Sequence, residues 1–513
     1  MPHTLEQFDR NVNFRIAPDV IGSDPKLKGP SKQSISVSDG DSVGTTSILY
    51  DMMVDKWELI EDLWGGTSTM RDAGRKWLPK EPKENDDVYK NRLDRSILFN
   101  AFKATIDRLV SRPFAQSVTI DKIEPEDNVL NLLENNVDGT GRNLTQFSRE
   151  VFEAGLKYGL SHILVDFTNL PEDVETKEDE DKIQPRPFFV HILPPNLIFW
   201  NIETNSVTRL PVLTEIRIKE VSVEKVGENS NVEVIRIRVF KEHTWEVWLF
   251  NSEDETFDLE KSGVNTLGIV PLTTFYVKRT GQLTADPPFE DLAWLNLGHY
   301  QSSSDQRNIL RFARTGVLFG AGFAEEELEG IAWAPNSVIK STNSEAKLTT
   351  VEYKGIAIKA GDEDLLRLEE RMQLLGLQPL IERTAQSTAT AKVLDESKTV
   401  NDIQAWVRSL ENTLTSAYEL AALWLQQDDE PLEDLKLNIF SDFFVSMHGT
   451  KDLEALIKIR GANHITAETF LREMKRRGIL SETVEIEEEL LDLQRSVDDT
   501  NINNDLDNDK RDA

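Results

Sequence analysis

Residues 289–314 read FEDLAWLNLGHYQSSSDQRNILRFAR, and what bounds this run decides how the chain is divided. Pro287 and Pro288 precede it and Gly316 follows. Proline pushes the residue before it out of the helical region and cannot sit inside a helix, so these breaks frame a single element. Between them the apolar residues fall at helical spacing, which predicts one long helix. Its middle, residues 301–308, is a polar waist that includes Gln301, Ser303, Asp305 and Arg307.

Downstream of this helix the pattern breaks and then returns. Residues 316–359 read as short strands at 317–319, 338–340 and 348–353 among glycines and prolines. Residues 362–375 are helical again, with Gly361 as the break before them. Residues 378–390 are polar and interrupted by Pro379. Next comes the clearest stripe of all: Ile403, Trp406, Val407, Leu410, Leu414, Ala417, Tyr418, Ala421 and Leu425, a helix to residue 426. Thr466 has the look of an N-cap, with Ile465 and Phe470 spaced for a hydrophobic staple and Gly478 at a C′ position. Residues 484–495 read as an acidic helix. The stretch 496–513, rich in Asp and Asn, is expected to be disordered.

Upstream, residues 1–45 lack periodicity and are expected to form a flexible arm. Helices are predicted over 48–64, 86–111 and 144–159, the last with Phe147, Val151, Phe152, Ala154 and Leu156 inward. Strands are predicted at 162–167, 188–193, 212–219, 232–240, 245–250 and 272–277. The first is a buried strand followed by an acidic insertion at 171–182, and those within 186–278 are read as an antiparallel β unit with turns at 227–229 and 251–254.

Composition narrows the chemistry. The 513 residues can fill two to four packed units, and 58 basic against 90 acidic residues leave a formal charge of −32. Such a surface argues against tight gripping of phosphates, which needs cations to displace counterions. With no cysteine, disulfides, thiolate metal sites and cysteine nucleophiles are excluded. The polar N-terminus lacks an apolar signal core and no apolar run is long enough to span a bilayer, so a cytosolic pool and no membrane partner are expected.

Enzyme signatures are absent: no GxxxxGK[ST], no HExxH and no GxSxG. Gly320-Ala-Gly322 lacks the third glycine of a dinucleotide loop and reads as a tight turn before Phe323. Residues 138–144 have Asn143 where a calcium loop needs glycine, so a turn into the next helix is expected. The seven histidines include none paired at i, i+3 or i+4, and acidic pairs such as Glu172 and Asp173 sit in the solvated insertion. Hence no catalytic residue, metal or cofactor is expected, and the chain is read as not an enzyme.

A resemblance enters with the helical block Asp62-Leu-Trp-Gly-Gly, Trp77-Leu-Pro79, Tyr89-Lys-Asn-Arg-Leu93 and Arg112-Pro-Phe114, followed by Leu144-Thr-Gln-Phe147, Gly155, Gly159 and Ile163-Leu-Val-Asp166. In this order the motifs resemble the portal proteins of tailed double-stranded DNA bacteriophages, and Gly461-Ala-Asn-His-Ile-Thr466 with Arg477-Gly-Ile-Leu480 resembles a portal ending. The resemblance implies an α+β, mainly helical fold with a portal-like wing, stem, clip and crown arrangement and a strand-rich wing unit. It divides the chain into an arm (1–45), a wing (46–286), a first stem helix (287–315) and a clip (316–360). A second stem helix (361–377), a tunnel loop (378–390), a long wing helix (391–430), a crown-like helical region (431–495) and a disordered acidic tail (496–513) follow.

The implied function is that of a head-to-tail connector. A homo-oligomeric ring, twelvefold in the virion, forms the capsid vertex channel for DNA packaging and ejection. Its implied partners are the large terminase, the major capsid or scaffolding protein, a head-tail adaptor, and double-stranded DNA passing without sequence specificity. The implied location is the unique capsid vertex, and the host cytoplasm during assembly. The channel contacts would be the loop residues Gln378, Glu382, Arg383, Thr384, Gln386, Ser387 and Thr388 and the stem waist Gln301, Ser303, Asp305 and Arg307. Three alternatives stay open from the residues themselves: 378–390 as an ordinary connection between helices, the chain as another minor head or scaffold-type protein without a channel, and the chain as a hydrolytic enzyme with an unfamiliar site.

Overall fold

The computed structural model describes residues 42–120, 129–168, 185–226, 230–315, 317–323, 341–351, 355–376, 389–425, 435, 437–441, 449–462, 464–476, 479–480, 484, 486 and 489–491. They divide into a unit that ends at Ile439 and another that begins at Phe440. Expectations for residues 1–41, the insertion at 171–182, the turn at 227–229, the strand at 338–340, residues 378–388, Gly478, most of the acidic helix at 484–495, and 496–513 lie outside the described residues.

The first unit opens with helix α1 (Ile48–Trp64), capped by Ser47, whose hydroxyl accepts from the Tyr50 amide. Its Trp57, Ile60 and Leu63 are buried, whereas Met52 is exposed. Helix α2 (Thr67–Ala73) follows. The single helix expected over 86–111 is two helices, α3 (Asp86–Leu93) and α4 (Ala101–Ser111). Asn100 is the cause of the break. Its side-chain oxygen accepts from the Lys103 amide at 3.0 Å, and its NH2 donates to the Leu63 carbonyl at 2.6 Å. An asparagine so placed starts a helix rather than continuing one.

Strand β1 (Thr119–Ile120) is followed by α5 (Leu144–Tyr158), capped by Asn143. Asp138 spends its oxygens on Thr140 and Arg142, so residues 138–143 form the expected turn. The helix ends at Gly159, whose φ of 91° is left-handed, and a Cβ there would lie 2.2 Å from the Asp286 carbonyl oxygen. Only glycine meets both conditions.

The strands predicted between 162 and 277 fall in two antiparallel sheets. Strands β2 (Leu160–Phe167) and β3 (Pro187–Ile192) build a three-stranded antiparallel sheet with β9 (Leu272–Tyr276), in the order β3-β2-β9. Between β3 and β9 in sequence lies a five-stranded meander of β4 (Leu197–Thr204), β5 (Pro211–Val226), β6 (Ser230–Lys241), β7 (Thr244–Asn251) and β8 (Thr256–Val264). Two of its strands, β4 and β8, were not expected. Strand β8 is polar and largely exposed, so it has no apolar face to announce it. Trp57, Tyr158, Leu164, Val190, Leu197, Ile216, Ile218 and Phe240 form one buried cluster shared by both sheets and the flanking helices.

A short pair, β10 (Arg279–Gly281) and β11 (Thr284–Ala285), leads into α6 (Glu290–Thr315). After it come β12 (Val317–Ala321), β13 (Lys347–Val351), α7 (Gly355–Leu375) and α8 (Ala389–Trp424). The predicted stripe of α8 is buried from Ile403 to Ala421 except for half-buried Trp406. Polar groups fix its register on the sheet: Ser409 and Thr413 donate to the carbonyls of Tyr276 and Thr274 on edge strand β9, at 3.0 and 3.5 Å. Trp424 donates to the Val165 carbonyl at 3.0 Å and stacks on Phe167. The two bonds to β9 occupy backbone oxygens at a sheet edge that water or another strand would otherwise take. Strand β14 (Leu437–Asn438) pairs with β1 across most of the unit's sequence.

The second unit contains α9 (Gly449–Gly461) and α10 (Ala467–Arg476). Thr466 caps α10 as expected, accepting from the Thr469 amide at 3.1 Å.

Charge also joins the two sheets. Arg238 on β6, with a side chain only 4% exposed, lies 3.1 Å from Asp166 on β2 and 2.9 Å from Glu220 on β5. Burial pushes both carboxyls above their ordinary range, and Arg238 draws them back down. Replacing Arg238 with Leu leaves two carboxylates at this seam without that guanidinium, and is expected to cost about 3–5 kcal/mol at neutral pH. A carboxyl whose folded pKa is raised contributes stability that is fully present below the unfolded value and lost as pH rises through the folded one. The deficit of the R238L variant in urea unfolding should therefore shrink as pH falls from 7 into the carboxylate range. A deficit that stays constant with pH would contradict this role.

Candidate functional site: a helical hairpin and its root

Helices α6 and α7 of the first unit pack against each other. At 1.5 Å per residue, the 26 residues of α6 span about 39 Å and the 21 of α7 about 31 Å. Their contacts run in opposite order along the two helices, which makes the pair antiparallel. His299 faces Glu369 at 3.3 Å, Ser302 donates to Asp364 at 2.8 Å, and Gln306 donates to the Ile358 carbonyl and to Asp362, both at 2.8 Å. Strands β12 and β13 pair between them, with Phe319 opposite Thr349. Gly320 and Ala321, expected in a tight turn, are the last residues of β12, and Gly322 follows the strand at φ 79°.

The second helix starts earlier than expected. Residues 355–361 are part of α7, so Gly361 lies inside the helix instead of breaking the chain before it. A helical glycine costs about 1 kcal/mol relative to alanine, so its presence needs a reason. The reason is close approach: a Cβ on Gly361 would sit 2.1 Å from the Gln306 Oε1 atom. The two helices therefore touch backbone to side chain at the point where Gln306, itself buried, makes its two bonds.

At its other end the hairpin is rooted in the N-terminal helical block. Asn296 is fully buried; its oxygen accepts from the Phe102 amide at 2.9 Å and its NH2 donates to the Phe99 carbonyl at 2.8 Å. The hydroxyls of Ser304 and Ser96 meet at 2.9 Å. Lys56 holds Asp286 at 2.5 Å and lies 3.8 Å from Glu290 at the start of α6. Arg92 makes a buried two-pronged pair with Glu84, both bonds at 2.9 Å, and a third bond to the Pro79 carbonyl at 2.7 Å. Hydrogen bonding to Arg92 holds the Glu84 carboxyl below its ordinary range.

The four waist residues separate in this geometry. Gln301 donates to the Trp77 carbonyl at 2.8 Å, so it belongs to the root. Ser303 is half-buried, Asp305 lies 3.6 Å from Arg92, and Arg307 is exposed. Gln378, Glu382, Arg383, Thr384, Gln386, Ser387 and Thr388 lie outside the described residues. The anchoring residues Asn296, His299, Ser304 and Gln306 were not singled out from sequence.

The N-terminal motifs converge on the same root. The Trp77 ring nitrogen donates to Asp62 at 2.5 Å, the Tyr89 hydroxyl donates to the Leu78 carbonyl at 3.0 Å, and Trp77 meets Trp294 of α6 edge to face. Residues far apart in sequence thus carry one structural task, the seating of α6. Among the described residues no group of three or more His, Cys, Asp and Glu could hold a metal ion, and no helix is long and apolar enough to cross a membrane.

A family model described as a domain of unknown function (DUF4055) matches residues 288–425, a family associated with phage portal proteins. The matched segment begins just ahead of α6 and ends just past α8, so it contains the hairpin and the long helix. It covers only part of the chain, and it is consistent with a phage structural protein of the portal or connector kind. No curated protein matches the chain.

The contact at Gly361 makes a testable coupling. Gly361→Ala should displace the Gln306 amide and destabilise the chain by about 1–2 kcal/mol net of the gain in helix propensity. In a Gln306→Ala background the same substitution should stabilise, because only the propensity gain remains. Thermal unfolding of the four variants measures this, and a G361A effect of the same sign in both backgrounds would refute the contact.

Proposed function

We propose that the chain is the subunit of a phage portal ring: an oligomer around a channel through which double-stranded DNA enters and leaves the capsid. The observation that carries this reading is the rooted hairpin. Two long antiparallel helices, separated by a two-stranded tip and followed by a long helix packed on a sheet, form the segment to which the portal-associated family matches. In this reading α6 and α7 are the stem, β12 and β13 belong to the clip, and the sheets with α8 form the wing. A ring arises when one surface of a subunit binds a different surface of the next and the rotation closes.

The remaining assignments follow from the same reading. The ring has twelve subunits in the virion, docks the large terminase, contacts capsid or scaffolding protein, and later holds a head-tail adaptor. Residues 378–390 line the narrowest part of the channel, where Glu382 and Arg383 together are close to neutral and so hold phosphate weakly. The subunit itself performs no chemistry; the work of packaging comes from the motor's nucleotide hydrolysis.

Negative-stain electron microscopy of the purified full chain should show rings with a central hole. Particles that stay monomeric at micromolar concentration and with scaffolding protein present would overturn the reading in favour of a minor head protein without a channel.

A further inference from the structure

Charge is unevenly spread along the hairpin. Its root half, residues 290–305 and 362–375, has eight carboxylate residues against two arginines. Its distal half, residues 306–315 and 355–361, has Arg307, Arg311, Arg314 and Lys359 and no carboxylate. In a chain of net charge −32 this is a local reversal of sign.

The cations share one flank. Arg307, Arg311 and Arg314 follow i, i+4, i+7 spacing, which places them on a single stripe of α6, and all three are exposed. Gln306 and Ile358 meet across the hairpin. In an antiparallel helix pair, the residue after a contact position turns to the same flank on both helices. Lys359, 80% exposed, therefore joins Arg307 on that flank. Its carboxylate neighbour Glu363 lies 3.9 Å away and is itself half exposed, which makes a weak pair.

We infer that this basic flank of the distal hairpin binds the phosphate backbone of double-stranded DNA. The inference rests on the portal-ring reading and names where in that channel DNA is touched. Arg307 to Arg314 rises about 10.5 Å along the helix, close to three nucleotide steps of one strand. Guanidinium groups suit this ligand, because their planar fork matches phosphate oxygens in pairs. Backbone contact carries no sequence information, as a protein handling a whole genome requires. The acidic root half repels the same phosphates, so contact is confined to a narrow band and stays weak enough for DNA to move.

The test is binding of a fluorescein-labelled DNA duplex of about 30 base pairs to the full-length protein, followed by anisotropy from about 50 to about 200 mM salt. The parent is compared with R307Q/R311Q/R314Q, with R307K/R311K/R314K, and with R367Q/R371Q from the root half. The triple Gln variant should bind at least ~10-fold more weakly at low salt, with a logarithmic salt slope lower by about 0.9 for each phosphate it no longer neutralises. The triple Lys and root-half variants should keep most of the parent's slope. Unchanged affinity and slope in the triple Gln variant overturn the inference, as do parent rings that do not bind the duplex, and both leave the ring reading standing. Loss of rings in the triple Gln variant alone also overturns it, because the stripe would then serve contact with a second, acidic copy of the chain. A parent that binds the duplex through this stripe yet forms no rings supports the contact and removes the portal reading instead.

Discussion

Asn296 is buried to 0% exposure and uses both ends of its amide on backbone groups of another element, the Phe99 carbonyl and the Phe102 amide. Each such bond is worth about 0.5–1.5 kcal/mol net, but leaving either backbone group unpaired in the core would cost about 1–3 kcal/mol. The constraint is therefore one of position more than of strength: only one height and one rotation of α6 satisfies both bonds. Gln301 on Trp77, Ser304 on Ser96 and Lys56 on Asp286 repeat that setting at other points. Whatever the distal hairpin contacts, it is aimed by this root.

The same polar residues explain what could be read in advance. A stripe of Leu, Val and Ala in α8 declares its own buried face, and Ile403, Val407, Leu410, Leu414, Ala417, Tyr418 and Ala421 are buried as their spacing implies. Helices α1 and α5 were legible for the same reason. The waist of α6 was legible as polar, but the burial of Ser304 and Gln306 within it was not, because a polar residue announces exposure unless its partner is known. Asn296 and Ser304 do continue the spacing of buried Leu292, Ala293, Leu297 and Tyr300, which was the available signal. Asn100 looked like a tolerable interior residue and is a cap; Gly361 looked like a break and is a point of close approach. In each case the deciding group lies tens or hundreds of residues away in sequence, at Leu63, Phe99 or Gln306. Polar strand β8 was missed because its pairing, not its own composition, makes it a strand, whereas β4, with Leu197, Ile198, Phe199 and Trp200, had a strand composition that went unread.

Electrostatics ties fold to function on a larger scale. Copies of a chain carrying −32 repel one another, so assembly into a ring must be driven by fitted surfaces rather than by general attraction. The interior seam avoids that problem by placing Arg238 between Asp166 and Glu220. The hairpin handles charge differently, with acid near the root and base towards the tip, and so offers a polyanion one zone of contact beside one of repulsion.

The most direct test of this account is a reconstruction of the assembled particle by electron cryomicroscopy, asking where residues 290–375 lie. If the hairpins stand side by side around a central hole, with Arg307 and Arg314 turned towards it, the rooted hairpin is the wall of a DNA channel. If instead the particle has no hole, or the hairpins point away from it at the outer rim, the hairpin is not a stem and the portal assignment falls.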